Sequence, residues 1–425
     1  MADTPQGGVA TDVPGPGLPR RDPLSPLQEG MLFQALLAPG SGVNVEQVVC
    51  RLDEDVNPER LQRAWCRVSA RHDVLRTRFP WAGGHARVQE VLDGVAVEMA
   101  WHDWAALPPA ERAERLERHL HDDRAREFDL AQAPPTRLAL FRMAADEHVL
   151  VWTFHHALLD GRSVGHVLQE VFALYEAAAE GRDVALPERR PFREHVAWLR
   201  GRDPAADEAY WKGMFRGMEP PERVRAIRRA PRDPAAEPPA GDRELLLSAA
   251  ETGALRGFEA AHGVWLNTLV QGAWALLLGR YTGSGEAVFG VVRGGRETGL
   301  EGAEGMVGLL INTVPVRIPL PAGARVIDWL DDIAERTAAL LPHEHAAAAD
   351  IRRWAGLPPD AELFDSVVNF QPRPFDAALR ALGGAWARRS FRVLRHPGLP
   401  LTLEVAAGER LRARLHYQAE LFDAD

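Results

Sequence analysis

The twelve residues from Phe154 to Gly165, FHHALLDGRSVG, place two adjacent histidines, an aspartate, two glycines and a serine in one short stretch. Three chemistries compete for them. A metal site would need both rings on one ion, but neighbours along a strand point to opposite faces, so His155 and His156 do not readily converge on one cation. A hydrolase would read Gly161 to Gly165 as the GxSxG nucleophile elbow. That elbow puts its serine on the tight turn directly after the strand, whereas Ser163 lies seven residues beyond His156, where a hydroxyl better serves to cap the next helix. The third reading gives the histidines different jobs: one ring buried as a structural hydrogen-bonding group, the other facing a cavity as base or orienter. Two satisfied core histidines are the ordinary outcome for such a pair. The neighbours argue otherwise: Asp160 follows four residues on, Gly161 can take a positive φ, and the free N–H groups of a helix N-terminus can attract developing negative charge. That arrangement suits acyl transfer.

The elements that position this stretch are legible from pattern. TRLALFRM and EHVLVWTFHH are strand-like runs separated by the turn-like AADE, so the histidine pair closes a strand. Val164, Val167, Leu168, Val171, Phe172 and Tyr175 then recur at helical spacing. Upstream, Asn57 caps and Pro58 opens a helix carrying Leu61, Ala64, Trp65 and Val68 on one face, which leads into RHDVLRTRF, extended at its end. PPAERAERLERHLHDDRAREF is a second helix. Between about Glu180 and Gly241 the composition shifts to Pro, Arg and Ala, with short helices at FREHVAWLRG and DEAYWKGMF, the signature of a crossing segment. Beyond it the alternation repeats: a helix through NTLVQGAWALLLGRY, a strand AVFGVV, a glycine-rich loop RGGRETGLEG, a strand GLLINTVPVRIPL, a helix VIDWLDDIAERTAALL, and strands at FDSVVNFQ and LPLTLEVAAGERLRARLHY. The two halves share this helix-plus-sheet character, which fits an α/β (α+β) pair.

Bulk properties narrow the classes. The chain has 425 residues, 46% of them hydrophobic, ample for a large core without staples. A formal net charge of −10 argues against general affinity for nucleic acid, although Lys212 is the single lysine among 50 basic residues, which reads as compositional bias. Cys50 and Cys66 lack metal-ligand spacing and read as buried thiols in a reducing compartment. The Pro/Gly-rich start, residues 1–22, is expected to be a flexible tail, with folding beginning near Leu24. No apolar run is long enough to cross a bilayer, and a cytoplasmic location is expected.

HHALLDG fits the HHxxxDG motif, and the chain resembles the condensation domains of nonribosomal peptide synthetases, themselves similar in fold to chloramphenicol acetyltransferase. The resemblance runs from LSPLQEGMLF at Leu24 through RHDVLRTRF, HHALLDG, HVAWLRG, EAYWKGMF, NTLVQGAWALLLGRYTG, VFGVVRGGRE, GMVGLLINTVPVR, HEHAAAADIRRWAGLP and LFDSVVNFQ to the terminal LHYQAELFD. It implies two acetyltransferase-like lobes, residues 23–180 and 181–425, forming a V with the active site at their junction. Two carrier proteins would serve it, one bringing a donor acyl thioester and the other an acceptor amine on phosphopantetheine arms, with no cofactor or metal bound by the chain itself. By motif, His156 touches the acceptor nucleophile, His155 is structural, Gly161 permits the turn, and Asp160 points away from substrates to pair with Arg296 of VVRGGRE.

Some positions depart from the family pattern or stay open. Arg162 stands where relatives often have tryptophan, lining the channel or lying on the surface. HEHAAAADI replaces a more polar, proline-containing run. Gln28 and Ser25 match an early motif and either position the first elements by capping and packing or approach the channel, and Asn312 either bonds in the channel or serves structure. The alternatives are ester formation with a hydroxyl acceptor, an epimerization domain, for which no second acid/base residue is evident, and a noncatalytic carrier-recruiting module, whose histidine motif would be degraded. The chain is expected to be a free-standing monomer or a part of a multidomain synthetase.

Overall fold

The computed structural model describes residues 19–37, 41–80, 88–218, 240–297, 299–358, 361–395, 398–419 and 421–422. The first half runs β1 (Arg20–Pro23), α1 (Pro26–Leu37), β2 (Val45–Leu52), α2 (Pro58–Arg71), β3 (Thr77–Arg78), β4 (Val88–Val91), β5 (Met99–Asp103), α3 (Pro109–Ala125), β6 (Thr136–Ala144), β7 (Glu147–His155) and α4 (Gly161–Ala179). Helices α5 (Phe192–Arg200) and α6 (Pro204–Met214) cross over. The second half runs β8 (Ala240–Leu246), α7 (Ala249–His262), α8 (Leu266–Thr282), β9 (Glu286–Arg293), β10 (Asn312–Pro319), α9 (Val326–Leu340), α10 (Ala348–Trp354), β11 (Ser366–Gln371), α11 (Phe375–Arg380), β12 (Arg389–Leu394), β13 (Leu401–Ala407) and β14 (Leu411–Gln418).

Local chemistry explains the elements that matter to the site. Asn57 Oδ1 accepts the Arg60 N–H at 2.8 Å and Pro58 opens α2, so one free donor is capped and the position lacking an N–H falls where none is needed. Strand β7 is buried along nearly its whole length because it has cover on both faces. Leu150, Trp152 and Phe154 pack with α2 and α4 residues such as Leu61, Trp65, Val164 and Val171, while Val149 and Val151 meet Leu116 and Leu120 of α3. Each fully buried Leu or Val on these faces stabilises the fold by about 1.5–3 kcal/mol before the entropy of ordering it is counted.

Among the described residues four strands of the first half and β12 of the second form a five-stranded sheet in the order β12-β2-β7-β6-β5, the first half adds a small sheet β1-β4-β3, and the second half forms a six-stranded sheet β10-β9-β11-β13-β14-β8. The second half has its own core, centred on Trp211, Phe289, Val314, Leu330 and Ile351.

Several expectations change. Strand β1 pairs with β4 from Arg20 to Pro23, so ordered structure starts inside the segment assigned to the tail; residues 1–18 lie outside the described residues. GLLINTVPVRIPL is not one strand, since β10 begins at Asn312, and within HEHAAAADI the α-helix begins only at Ala348. Cys50 is buried and burial pushes its thiol up, but Cys66 is exposed. A boundary at residue 180 does not separate the sheets, because β12 from the second half pairs antiparallel with β2 across Arg389 to Leu394. No helix among the described residues is long and apolar enough to cross a membrane.

Gly295 shows why the loop after β9 is glycine-rich. Its φ is +63°, and a Cβ there would lie 1.8 Å from the Leu310 carbonyl oxygen, a backbone atom with little room to move. Gly294 beside it would meet nothing within 4 Å. Gly295→Ala is therefore expected to lower stability by about 2 kcal/mol or more, and Gly294→Ala to stay within about 1 kcal/mol of wild type, as read by urea unfolding.

Candidate active site at the junction of the two halves

Strand β7 ends at His155, and the chain turns at once. The His156 N–H donates to the Asn44 carbonyl at 2.7 Å, and Asn44 takes a φ of 64° just before β2, so the loop is anchored to the start of the neighbouring strand. Leu158 N–H returns to the His155 carbonyl at 3.0 Å, and Asp160 then caps α4 by accepting the Ser163 N–H at 2.8 Å.

The two histidines have different surroundings. His155 is buried, its Nδ1 accepts the Ala157 N–H at 3.2 Å, and burial, with the adjacent His156, lowers its pKa to about 3, so the ring is neutral at working pH. His156 is half-buried, with 17% of its side chain exposed. Its Nδ1 lies 2.8 Å from the Leu159 carbonyl oxygen. A carbonyl only accepts, so Nδ1 carries the proton and the neutral ring presents its lone pair at Nε2. Glu46 Oε1 of β2 lies 3.6 Å from that nitrogen.

Asp160 is completely buried and is engaged in a network with the second half. Arg296 Nη1 donates to Oδ2 at 2.8 Å and Nη2 to Oδ1 at 3.1 Å, and the Leu310 N–H adds a bond of 2.9 Å. Burial alone would raise the carboxyl pKa, but the charge and hydrogen bonds of Arg296, with the N–H groups of Ser163 and Leu310, hold it below the usual range.

Several of the other sequence candidates sit differently from expectation. Ser163 is not the cap of α4; Asp160 is, and the Ser163 hydroxyl donates to the Gly308 carbonyl at 2.7 Å while accepting from the Gly308 N–H and from Arg296 Nη2. Gly161 begins α4 and is not among the positive-φ residues, so its conformational freedom is not what the loop uses. What it leaves is room: a Cβ would lie 3.6 Å from Arg395 Nη2. Because Asp160 already occupies the Ser163 N–H, the helix terminus is less open to an oxyanion than the pattern suggests. Arg162 is 57% exposed and pairs with Glu304 at 2.7 Å, a surface contact between the halves.

Gln28 is fully buried rather than facing a channel. Its Oε1 accepts the Ser25 N–H at 2.9 Å, its backbone N–H donates to Ser25 Oγ at 3.2 Å, and its Nε2 donates to the Ala157 carbonyl at 3.0 Å, which ties α1 to the histidine loop. Asn312 directs its Nδ2 to the Glu344 and Ala346 carbonyls at 2.8 and 2.9 Å, holding the HEH segment against β10. The motif reading overlooked Glu46 and Arg395. Arg395 Nε donates to Glu46 Oε1 at 2.7 Å and Nη1 to Glu404 Oε1 at 2.9 Å. The available signal was a glutamate near the start of a strand, VEQVVC, that is mostly apolar.

A family model described as "Condensation domain" matches residues 20–425. The chain belongs to the condensation-domain family. It is 38% identical over 401 residues to a linear gramicidin synthase of Brevibacillus parabrevis, covering 94% of this chain and 8% of that protein. It is 31% identical over 408 residues to surfactin synthase subunit 3 of Bacillus subtilis (strain 168), covering 94% and 31%. The chain thus spans a small part of the length of these relatives. Among solved structures, the first condensation domain of the calcium-dependent antibiotic synthetase superposes with a TM-score of 0.77 at 22% identity, over 95% of this chain and 92% of that one. The starter condensation domain of rhizomide synthetase gives 0.76 at 20% identity over 95% and 92%. The fold is that of the condensation domains.

The buried groups of the site carry measurable consequences. Asp160→Ala strands the Arg296 charge and is expected to cost about 3–5 kcal/mol in unfolding free energy. Burial also lowers His195, His166 and His345 to about 4 each, alongside His155 at about 3. Below the ordinary imidazole value of about 6.5 the unfolded chain takes up protons that the folded chain refuses, so stability falls as pH drops from about 6.5 toward 4. The melting temperature is expected to be lower at pH 5 than at pH 7, with His155 alone contributing on the order of 1–2 kcal/mol; equal values at the two pH values would contradict this.

Proposed function

We propose that this condensation domain joins an acyl or peptidyl group, delivered as a thioester on the phosphopantetheine arm of a carrier protein, to the amine of an acceptor carried by a second carrier protein, within a nonribosomal peptide synthetase. The supporting observation is the fixed ring of His156: Nδ1–H is engaged by the Leu159 carbonyl, and Nε2 is left as acceptor where the loop meets the second half.

A thioester is already activated, so alignment of two tethered reactants and exclusion of water supply most of the acceleration, about 7–11 kcal/mol in favourable cases. An α-amine with a pKa of about 8 is mostly ammonium at neutral pH, and attack needs its lone pair. Nε2 of His156 accepts or orients the amine proton. His155, Asp160 and Arg296 hold the loop and touch no reacting atom. The lobes assigned to residues 23–180 and 181–425 give the two reactants opposite walls, with β12 reaching across.

His156→Ala is expected to reduce product formation from a loaded donor carrier by about 100-fold or more, measured by intact mass of both carriers. Undiminished transfer would remove His156 from the chemistry. Ser163→Ala is expected to retain catalysis while losing stability, which separates it from a nucleophile.

A further inference from the structure

We propose that Glu46 is the positioning residue of His156, a carboxylate whose charge stabilises the imidazolium formed when the acceptor loses its proton. The inference rests on the function proposed above and assigns a second residue to its central step.

Glu46 enters the site from β2, whose central place between β12 and β7 buries the residue to 3% exposure. A buried carboxylate is costly unless its oxygens are bonded. Here Oε1 accepts from Arg395 Nε at 2.7 Å and faces His156 Nε2 at 3.6 Å, while Oε2 is buried and accepts no hydrogen bond among the described residues. The Arg395 guanidinium is divided between two carboxylates, Glu46 and Glu404. Glu404 has a second cation, because His416 sits with Nε2 3.4 Å from Glu404 and Nδ1 against Asp242, both ring nitrogens on carboxylates. Glu46, at the inner end of this row, is therefore the member with unfilled acceptor capacity, and His156 is the neighbouring group able to become cationic.

A separation of 3.6 Å is too long for a hydrogen bond to the neutral ring, which has no proton at Nε2 to give. Protonation changes that. On attack the amine nitrogen forms a bond to the thioester carbonyl carbon, and its proton passes to His156 Nε2. The C–S bond then breaks as the carbonyl re-forms, and the departing thiolate takes up that proton from Nε2. Between these transfers the ring carries a positive charge, with Nε2 3.6 Å from Glu46 Oε1. Attraction in this partly desolvated site is stronger than in water, and it acts on the charged state alone. Arg395 fixes the carboxylate in advance, so little reorganisation is needed.

The test uses the full chain with a loaded donor carrier and acceptor carrier, together with 15N-labelled histidine NMR. With Glu46→Gln, kcat is expected to fall about 10- to 100-fold while the acceptor KM changes less than about threefold, and Glu46→Asp is expected to recover part of the loss. In the imidazolium form of His156, its Nε2 resonance is expected to move in Glu46→Gln while its Nδ1 resonance, held by Leu159, stays in place; His156→Gln assigns the signals. An unchanged Nε2 resonance overturns the proposal, as does an equal effect on kcat and KM. If the wild-type chain transfers no acyl group, the proposed function fails, and the NMR comparison still decides whether Glu46 meets His156. A melt confirms that each variant is folded.

Discussion

The site depends on one fully buried ion pair. Asp160 and Arg296 are 136 residues apart in the chain and have side-chain exposures of 0% and 3%. Such a pair is weak evidence for net stability, because two desolvated charges recover their cost only with good geometry and full hydrogen bonding. Asp160 meets that condition with four donors: two from Arg296 and the N–H groups of Ser163 and Leu310. In doing so it fixes the start of α4, the glycine loop after β9 and the approach to β10 relative to one another. Leu159, whose carbonyl orients the His156 ring, is its chain neighbour, so the tautomer and direction of that ring are inherited from the ion pair.

A second clamp holds the same helix farther along. Arg389, at the start of β12, is wholly buried; it donates to Glu54 at 2.6 Å, reaches Glu176 of α4 at 2.8 Å, and lies 4.0 Å over the ring of Phe172 on α4. At both ends of α4 the cation therefore comes from the second half and the carboxylates from the first. Removing either cation would leave acids without their partner at the junction, which favours one docking of the halves over neighbouring arrangements. Strand β12 completes the clamp by adding six residues of backbone pairing to β2.

How much of this was readable in the sequence follows from the range of the interaction concerned. The α2 start was legible because Asn57 and Pro58 act within a few residues, and the ends of β7 and α4 were set by hydrophobic period. The partnership of Asp160 with Arg296 came through family resemblance, since no local rule joins residues so distant. Ser163 was misread because a serine at a helix start caps by default; here Asp160 outcompetes it, and the hydroxyl is drawn to Gly308, whose lack of a side chain also spares a clash with Phe192 at 2.3 Å. Gly161 was given a conformational role that belongs to Gly295. The exchange of β12 into the first sheet was invisible, because a six-residue strand carries no mark of which sheet it joins.

The same geometry leaves one histidine nitrogen of the motif open as an acceptor. A proton released by an attacking nucleophile must find an acceptor with an unfilled lone pair within the loop. Asp160 has four donors on its two oxygens and an arginine at contact, so its basicity is suppressed and its surface closed. His155 gives its Nδ1 lone pair to the Ala157 N–H and is buried in surroundings that oppose a positive charge. Ser163 accepts from both Gly308 and Arg296. What remains at the end of β7 is Nε2 of His156, whose other nitrogen is fixed by a backbone carbonyl and whose charged neighbour is the Glu46 carboxylate. In the function proposed above, the loop directs the proton to Nε2 of His156 because the side chains of Asp160, His155 and Ser163 already have their acceptor sites engaged.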